Sequence, residues 1–300
     1  MNTVENTIEL TIVICIYNMQ REAPRTIQSA LPPYQKNTRN TNYEVLVVDN
    51  GSNQELPTSF VEKLPPQVRI IKYEPKKPSP VFAMNWAIKN HARGEHIMIC
   101  IDGARILSDK LVAQGLAVLR QIPNAFVYSL AWHLGPDTQM VSTQHGYNQE
   151  VEDNLLKEID WYHNPGKLFS ISSFAGSSRN GFFHPIAESN AFTLPKTKFL
   201  ELGGYCEKFE LPGGGLANLE LFSRCVSTDK LVNVCLLSEG TFHQVHGGIA
   251  TSNSMKKSLM WEEYQDIFGI KYKIPEYDTL YFGAIRPSCI PFHKTSLEKL

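Results

Sequence analysis

The run HIMICIDGARI, residues 96–106, ends an apolar segment in a carboxylate, Asp102, followed at once by Gly103, Ala104 and Arg105. Ligands of open α/β sheets collect at the carboxyl ends of the strands, so an acid there is a candidate for contact with a ligand or a metal ion. Two earlier strand-like runs end in residues of similar use: LTIVICI (10–16) is followed by Tyr17-Asn18, and YEVLVV (43–48) by Asp49-Asn50-Gly51-Ser52. A carboxylate and amides at such ends can hydrogen-bond a base and a ribose, although Asp49 also suits a plain turn. Arg105 brings a guanidinium, which grips phosphate bidentately or makes a structural ion pair. No G-x-G-x-x-G follows the first strand and no G-x-x-x-x-G-K-[ST] occurs. Dinucleotide and P-loop chemistry therefore lose their main support.

The elements that must position these groups alternate. Strands over 10–16, 43–48 and 68–73 are separated by a helix over 22–31, stopped by Pro32-Pro33, and by a turn. A helix over 80–91 leads into the strand that ends at Asp102. Such alternation predicts a parallel sheet with right-handed crossovers. Further on, Ser108 is expected to cap a helix reaching Gln121, followed by the strand AFVYSLAW. Residues 133–190 read as irregular except for a helix over 150–161, and long irregular stretches are usually functional or mobile. A brief helix from Phe199 is broken by Gly203-Gly204, another begins near Asn218, and VNVCLL (232–237) is a strand followed by a histidine-bearing loop. Residues 253–268 form an amphipathic pattern, with Met255, Leu259, Met260 and Tyr264 at helical spacing, suited to packing on the main domain, a second subunit or a membrane surface.

Bulk composition excludes several classes. With 29 basic and 30 acidic residues the formal charge is −1, which offers no global field for nucleic acid. The six cysteines form no CxxC pair, so a zinc ribbon or redox motif is not expected and a reduced, cytoplasmic compartment is. The N-terminus lacks a signal-peptide pattern, and no apolar run reaches the roughly 18 residues of a membrane span. Trp132, Trp161, Phe182, Phe183 and Trp261 are expected in the core rather than as sugar platforms.

Taken in order, ICIYN, the helix ending SALPPYQ, VLVVDNGS, the helix containing MNWAIKNHARGEH, and IMICIDGA resemble the N-terminal half of family 2 glycosyltransferases of the GT-A fold. The resemblance implies an α/β domain over 1–250, with a nucleotide-binding half (1–105) and an acceptor half (106–250), and a C-terminal helical extension over 251–300. It implies a mostly parallel central sheet flanked by helices and a nucleotide-sugar donor. Tyr17, Asn18 and Asp49 would take the base and ribose, Asn85 would face the site from its helix, and Asp102 would approach the ribose and diphosphate.

One departure is plain. The family's strand ends in Asp-x-Asp, whose last acid binds Mn²⁺ or Mg²⁺ at the diphosphate; Ala104 stands there instead. Such cations want oxygen ligands and neutralise charge on the leaving group. Asp102 would hold the metal with help from elsewhere, Arg105 would supply the charge itself, or transfer has been lost. The family often carries a histidine near the end of the domain, and SEGTFHQVHGG offers His243 and His246. His246 is the better match, because Gly247-Gly248 beside it would let backbone approach a phosphate. Imidazole suits Mn²⁺ better than Mg²⁺.

On the acceptor side, Gly203-Gly204-Tyr205 through Arg224 resembles the family's Gly-Gly-Phe-Asp-Glu and Gly-Glu-Asp-x-Asp-Leu motifs. Counting back from Arg224 puts Asn218 where the family has its catalytic Asp, and Glu220 at the second acid. Inverting transfer needs a general base, which an amide cannot be. Glu220 is the first candidate and Glu188, in HPIAESNAF, the second. The resemblance thus implies sugar transfer from a nucleotide-diphosphate donor to a glycan or lipid-linked hydroxyl, as in surface polysaccharide or glycoconjugate synthesis. It would take place in the cytoplasm or at the inner face of the membrane, where peripheral association needs no span. The rival reading is a GT-A-fold protein that binds nucleotide or glycan without transfer, which Ala104 and Asn218 favour. A nucleotidyltransferase is a third, weakened by the lack of a Gly-rich basic loop after the first strand.

Overall fold

The computed structural model describes residues 7–75, 77–246 and 254–300, with the backbone alone for 254–257. Ten strands make one sheet: β1 Leu10–Ile16, β2 Tyr43–Asp49, β3 Val68–Lys72, β4 His96–Cys100, β5 Arg105–Leu107, β6 Ala125–Leu134, β7 Ser172–Phe174, β8 Phe192–Pro195, β9 Val232–His243 and β10 Leu280–Phe282. Their order is β10-β9-β6-β8-β4-β1-β2-β3, with β5 paired to β9 and β7 to β6. The β3-β2-β1-β4 block is parallel, as are β6-β9 and β9-β10; β8 runs antiparallel between β4 and β6. This is the mostly parallel α/β sheet that the sequence implies.

Central strands are apolar on both faces because helices cover both. Val13 and Cys15 of β1 join Leu46 and Val48 of β2 against helix Val81–Asn90 and helix Ala217–Ser227. Ile12, Ile14 and Ile16 join Val45 and Val47 against helix Glu22–Ser29 and helix Leu111–Gln121. A two-residue side-chain period under two layers of helices fixes the register, since a slip of one residue would exchange the two cores. Truncating one of these isoleucines to alanine should cost about 2–5 kcal/mol.

Two expectations need correction. Ser108 does not cap the helix that follows. That helix starts at Leu111 with Lys110 at its cap and no side-chain cap bond, because the Ser108 hydroxyl is bonded to the buried Glu239 carboxylate at 2.6 Å. The strand VNVCLL does not give way to a loop either. β9 continues to His243, its register against β6 shifting between Tyr128 and Leu130, with Ser238 at φ 55°. The irregularity takes up residues 236–239, and pairing with β6 resumes at Gly240 opposite Leu130.

Of the aromatics expected in the core, Trp132 and Phe182 are buried and Trp161 and Phe183 partly so, whereas Trp261 is 48% exposed. Helix Ser254–Phe268 packs Met260 and Tyr264 on the core, with Leu259 exposed; the Met255 side chain and Gly247-Gly248 lie outside the described residues. The segment beyond it supplies edge strand β10 and helix Ile290–Leu297, whose His293 is buried against Ser238. Among the described residues no helix is long and apolar enough to cross a membrane.

Candidate active site

Parallel register sets the strand ends side by side: Ile16 pairs with Asp49, and Ile14 with Cys100. Tyr17 stands half-exposed at this rim. Asn18, at φ 52°, donates its N–H to Ser52 Oγ (2.9 Å) and accepts from the Asn53 N–H (2.8 Å), so it stitches the loops after β1 and β2 together. Asp49 is buried and accepts the Ser52 N–H at 2.8 Å, a turn-forming use. Asn85 clamps Tyr205: its Oδ1 accepts the Tyr205 N–H and its Nδ2 donates to the Tyr205 carbonyl, both at 2.9 Å.

The turn bearing Asp102 is tightly seated. A Cβ on Gly103 would lie 2.5 Å from the Cys15 carbonyl oxygen and 2.7 Å from Ile16 Cγ2, so only glycine lets the turn approach β1 this closely. Thr26 holds the turn from its helix, donating to the Gly103 carbonyl (2.6 Å) and accepting the Arg105 N–H (3.0 Å). Asp102 Oδ1 accepts the Ala104 N–H (3.1 Å) and Oδ2 accepts Arg105 Nε–H (3.1 Å). Arg105 Nη1 is buried and has no partner among the described residues.

The second strand pair brings the histidines. β5 and β9 are antiparallel with Arg105 opposite His243. His243 Nε2 lies 3.0 Å from Asp102 Oδ2; His246 Nε2 lies 3.7 Å from Asp102 Oδ1 and 3.2 Å from His243 Nε2. Burial and then the Arg105 charge push the His243 pKa down to about 4, so the ring is neutral at neutral pH. Burial alone would raise the Asp102 pKa, yet the Arg105 guanidinium bonded to it helps hold it well below the usual carboxylate range. Gln139 Oε1 sits 2.6 Å from His243 Nδ1, which places the ring's proton on Nδ1. In that neutral form Nε2 is the ring atom left to face Asp102 Oδ2. Three electron-pair donors, all within 4.8 Å of one another, converge on one point. These three side chains could hold a cation, and the nitrogen-rich donor set suits a transition-metal dication better than Ca²⁺ or Mg²⁺.

The segment before His246 is fixed on both sides. The Val245 N–H donates to Glu152 Oε2 (2.8 Å) and its carbonyl accepts Arg21 Nη1–H (3.2 Å). Burial raises the Glu152 pKa, and Arg21 works against that rise. A cleft of about 590 Å³ opens beside His246, walled by Thr143, Tyr147, Gln149 and Glu150.

Across the end of β4 runs the Glu188–Asn190 segment, because the Ala191 N–H bonds the Ile99 carbonyl (2.8 Å) and β8 then pairs with β4. Asn218, in the first turn of helix Ala217–Ser227, donates to Glu188 Oε2 (2.8 Å) and to the Ser189 carbonyl (3.1 Å), while its own Oδ1 accepts from Tyr205 OH (3.1 Å). Glu220 points elsewhere. It is buried in a two-pronged pair with Arg224, whose remaining N–H groups donate to the Leu202 and Gly204 carbonyls. The structure thus gathers Asp102, Arg105, His243 and His246 at one point and couples Glu188 to Asn218, whereas Glu220 braces the Gly203-Gly204 turn.

Residues 11–179 match the model of glycosyl transferase family 2. The chain belongs to that family. No curated protein matches the sequence. In fold the chain is similar to S. aureus TarS (12% identity over 88% of this chain and 44% of that one, TM-score 0.49). It is also similar to GalNAc-T7 with UDP, GalNAc and Mn²⁺ (15% identity, 88% and 50%, TM-score 0.50). The chain spans about half the length of these structures. The candidate site of this family 2 member includes residues that pattern reading passed over. Gln139 sits in a polar stretch with no motif to mark it, and Thr26 looks like any helix residue. His243 ranks behind His246 in the sequence because only His246 stands beside Gly247-Gly248. Only Glu220 carried its own warning, since Glu220 and Arg224 stand four apart on a helix, the spacing of an ion pair.

Proposed function

We propose that this glycosyltransferase moves a sugar from a nucleoside-diphosphate donor to a glycan hydroxyl with inversion, and that Asp102, His243 and His246 hold a divalent cation, Mn²⁺ before Mg²⁺. The convergence of one carboxylate and two imidazoles, with ligand atoms all within 4.8 Å of one another at the end of β4, carries the reading. When bound, the cation would neutralise charge on the diphosphate. The ligand missing at Ala104 is then supplied by His243 at the end of β9 and His246 just after it.

The chain's own groups complete the chemistry. Tyr17 and Asp49 flank the donor base and ribose at the first two strand ends. Arg105, whose Nη1 has no partner among the described residues, adds positive charge beside Asp102 to stabilise the departing diphosphate. Glu188 is the general base: Asn218 donates to Oε2 and leaves Oε1 to take the acceptor proton. The amide at 218 cannot remove a proton, but it orients the carboxylate that can. As the acceptor oxygen bonds to the anomeric carbon, the bond from that carbon to the diphosphate breaks and the proton passes to Glu188.

The test is thermal stabilisation by UDP, GDP and dTDP with and without Mn²⁺, beside hydrolysis of the matching nucleotide sugars. Stabilisation that needs Mn²⁺ and disappears in Asp102→Ala supports the reading. Nucleotide binding with no sugar release under any condition would favour the non-transferring alternative, and no response to any nucleotide would sink both.

A further inference from the structure

Gln139 is fully buried on the short helix Gln139–Ser142, and its polar groups are spent mainly on histidines. Its Oε1 faces His243 Nδ1 at 2.6 Å, its Nε2 donates to the His243 carbonyl at 2.9 Å, and its backbone N–H donates to His133 Nδ1 at 2.9 Å. The carbonyl contact settles which way the amide points: reversed, its oxygen would face the oxygen of His243. Oε1 can therefore only accept, and Nδ1 must be the donor.

We infer that Gln139 is a positioning residue, which locks His243 in the Nδ1–H tautomer so that Nε2 keeps a lone pair aimed at the space shared with Asp102 and His246. The inference rests on the reading that these three groups hold a cation. Histidine ligands commonly give their second N–H to an acceptor that fixes the ring and raises its basicity. Here one amide grips both the ring and the peptide carbonyl of the same histidine. A carboxylate could accept from the ring but could not donate to the carbonyl. Torsion of the His243 side chain is thereby tied to the end of β9, and the ring cannot turn its protonated nitrogen into the site.

The experiment uses the full chain with ¹⁵N-labelled histidine, free of metal. Long-range ¹H–¹⁵N spectra, with His243 assigned by loss of its signals in His243→Asn, should show the proton on Nδ1. A proton on Nε2 in the unaltered protein overturns the inference, whatever the variants do. Titration with Mn²⁺ alone then compares Gln139→Leu and Gln139→Glu. The leucine variant should bind about 10–100-fold more weakly, and the glutamate variant, which keeps an acceptor for Nδ1–H, should recover most of the loss. Equal Mn²⁺ affinity in folded Gln139→Leu and in the unaltered protein overturns the positioning role while the cation site stands. If the unaltered protein binds no Mn²⁺, or binds it equally in Asp102→Ala, the cation reading fails and the inference falls with it.

Discussion

Arg105 and His243 face each other across the antiparallel β5–β9 pair. Asp102 lies just before one of them in the chain and His246 just after the other, so a single cross-strand register point draws four side chains together from two distant segments. The second acid expected at Ala104 is thus not an isolated loss. Opposite Arg105 stands His243, whose Nε2 reaches the Asp102 carboxylate at 3.0 Å.

The two histidines should respond differently to removal. His246→Ala should weaken Mn²⁺ binding while costing less than about 1 kcal/mol of stability, because the side chain is partly exposed. His243→Ala should weaken binding and also destabilise by about 1–3 kcal/mol, since it strands the buried Gln139 oxygen without its donor. Calorimetric Mn²⁺ titration and urea unfolding together read both effects. Equal stability loss in the two variants would contradict the geometry.

The turn itself offers a second test. Gly103→Ala must displace backbone at Cys15 or the turn, and Thr26→Val leaves the Arg105 N–H and the Gly103 carbonyl without their partner. Each should cost about 1–3 kcal/mol. Both should also loosen Mn²⁺ binding although neither residue touches the cation. Thr26→Ser, which keeps the hydroxyl, should restore binding. Unchanged affinity in Thr26→Val would mean that the turn is held by other contacts.

Much of this was legible in the chain. Apolar β-branched runs gave β1, β2 and β4, and their terminal residues marked the ligand edge of the sheet, because a parallel sheet must align those ends. What could not be read was pairing between distant segments. Nothing local shows that β9 resumes after the Ser238 bulge, since SEGT has the composition of a loop. Nothing local tells that the Ser108 hydroxyl prefers a buried carboxylate to a helix cap. Gln139 acquires its role only because the short helix after β6 folds against the end of β9, a tertiary fact without sequence periodicity.

That buried carboxylate, Glu239, makes stability depend on pH. It accepts from Ser108 (2.6 Å) and Gln114 (3.1 Å), and pairs with Arg286, which also pairs with Asp109. Burial pushes its pKa from an ordinary 4.5 up to about 7; Arg286 opposes this and the Asp109 charge adds to it. A folded pKa above the unfolded one means the folded protein holds the proton longer. The contribution is complete below the unfolded value and is lost as pH rises through the folded one. The fall should approach about 3 kcal/mol at most. Glu239→Gln, neutral throughout, should lack this slope and gain on the unaltered protein as pH is raised. Urea midpoints across that range decide it, and parallel curves would show that Arg286 keeps Glu239 ionised in both states.

The sharpest division lies between the two acids of the acceptor side. Glu188→Gln should lower kcat by about 10²–10⁴-fold, with Mn²⁺ binding, nucleotide binding and stability retained, because it removes only the proton acceptor. Glu220→Gln should do the reverse. It replaces one of the four acceptors of Arg224 by an N–H donor beneath the Gly203-Gly204 turn, at a cost of about 1–3 kcal/mol, while kcat in the folded protein stays within a few-fold. Asn218→Asp supplies the control that separates an orienting amide from a bystander. It would set a second carboxylate within 2.8 Å of Glu188, and like charges at that distance raise the pKa of the pair. The acidic limb of the pH–rate profile should then move upward in Asn218→Asp and stay in place in Glu220→Gln. A profile unmoved in Asn218→Asp, with Glu188→Gln active, would return the general base to another residue, because no carboxylate coupled to position 218 would be taking the proton.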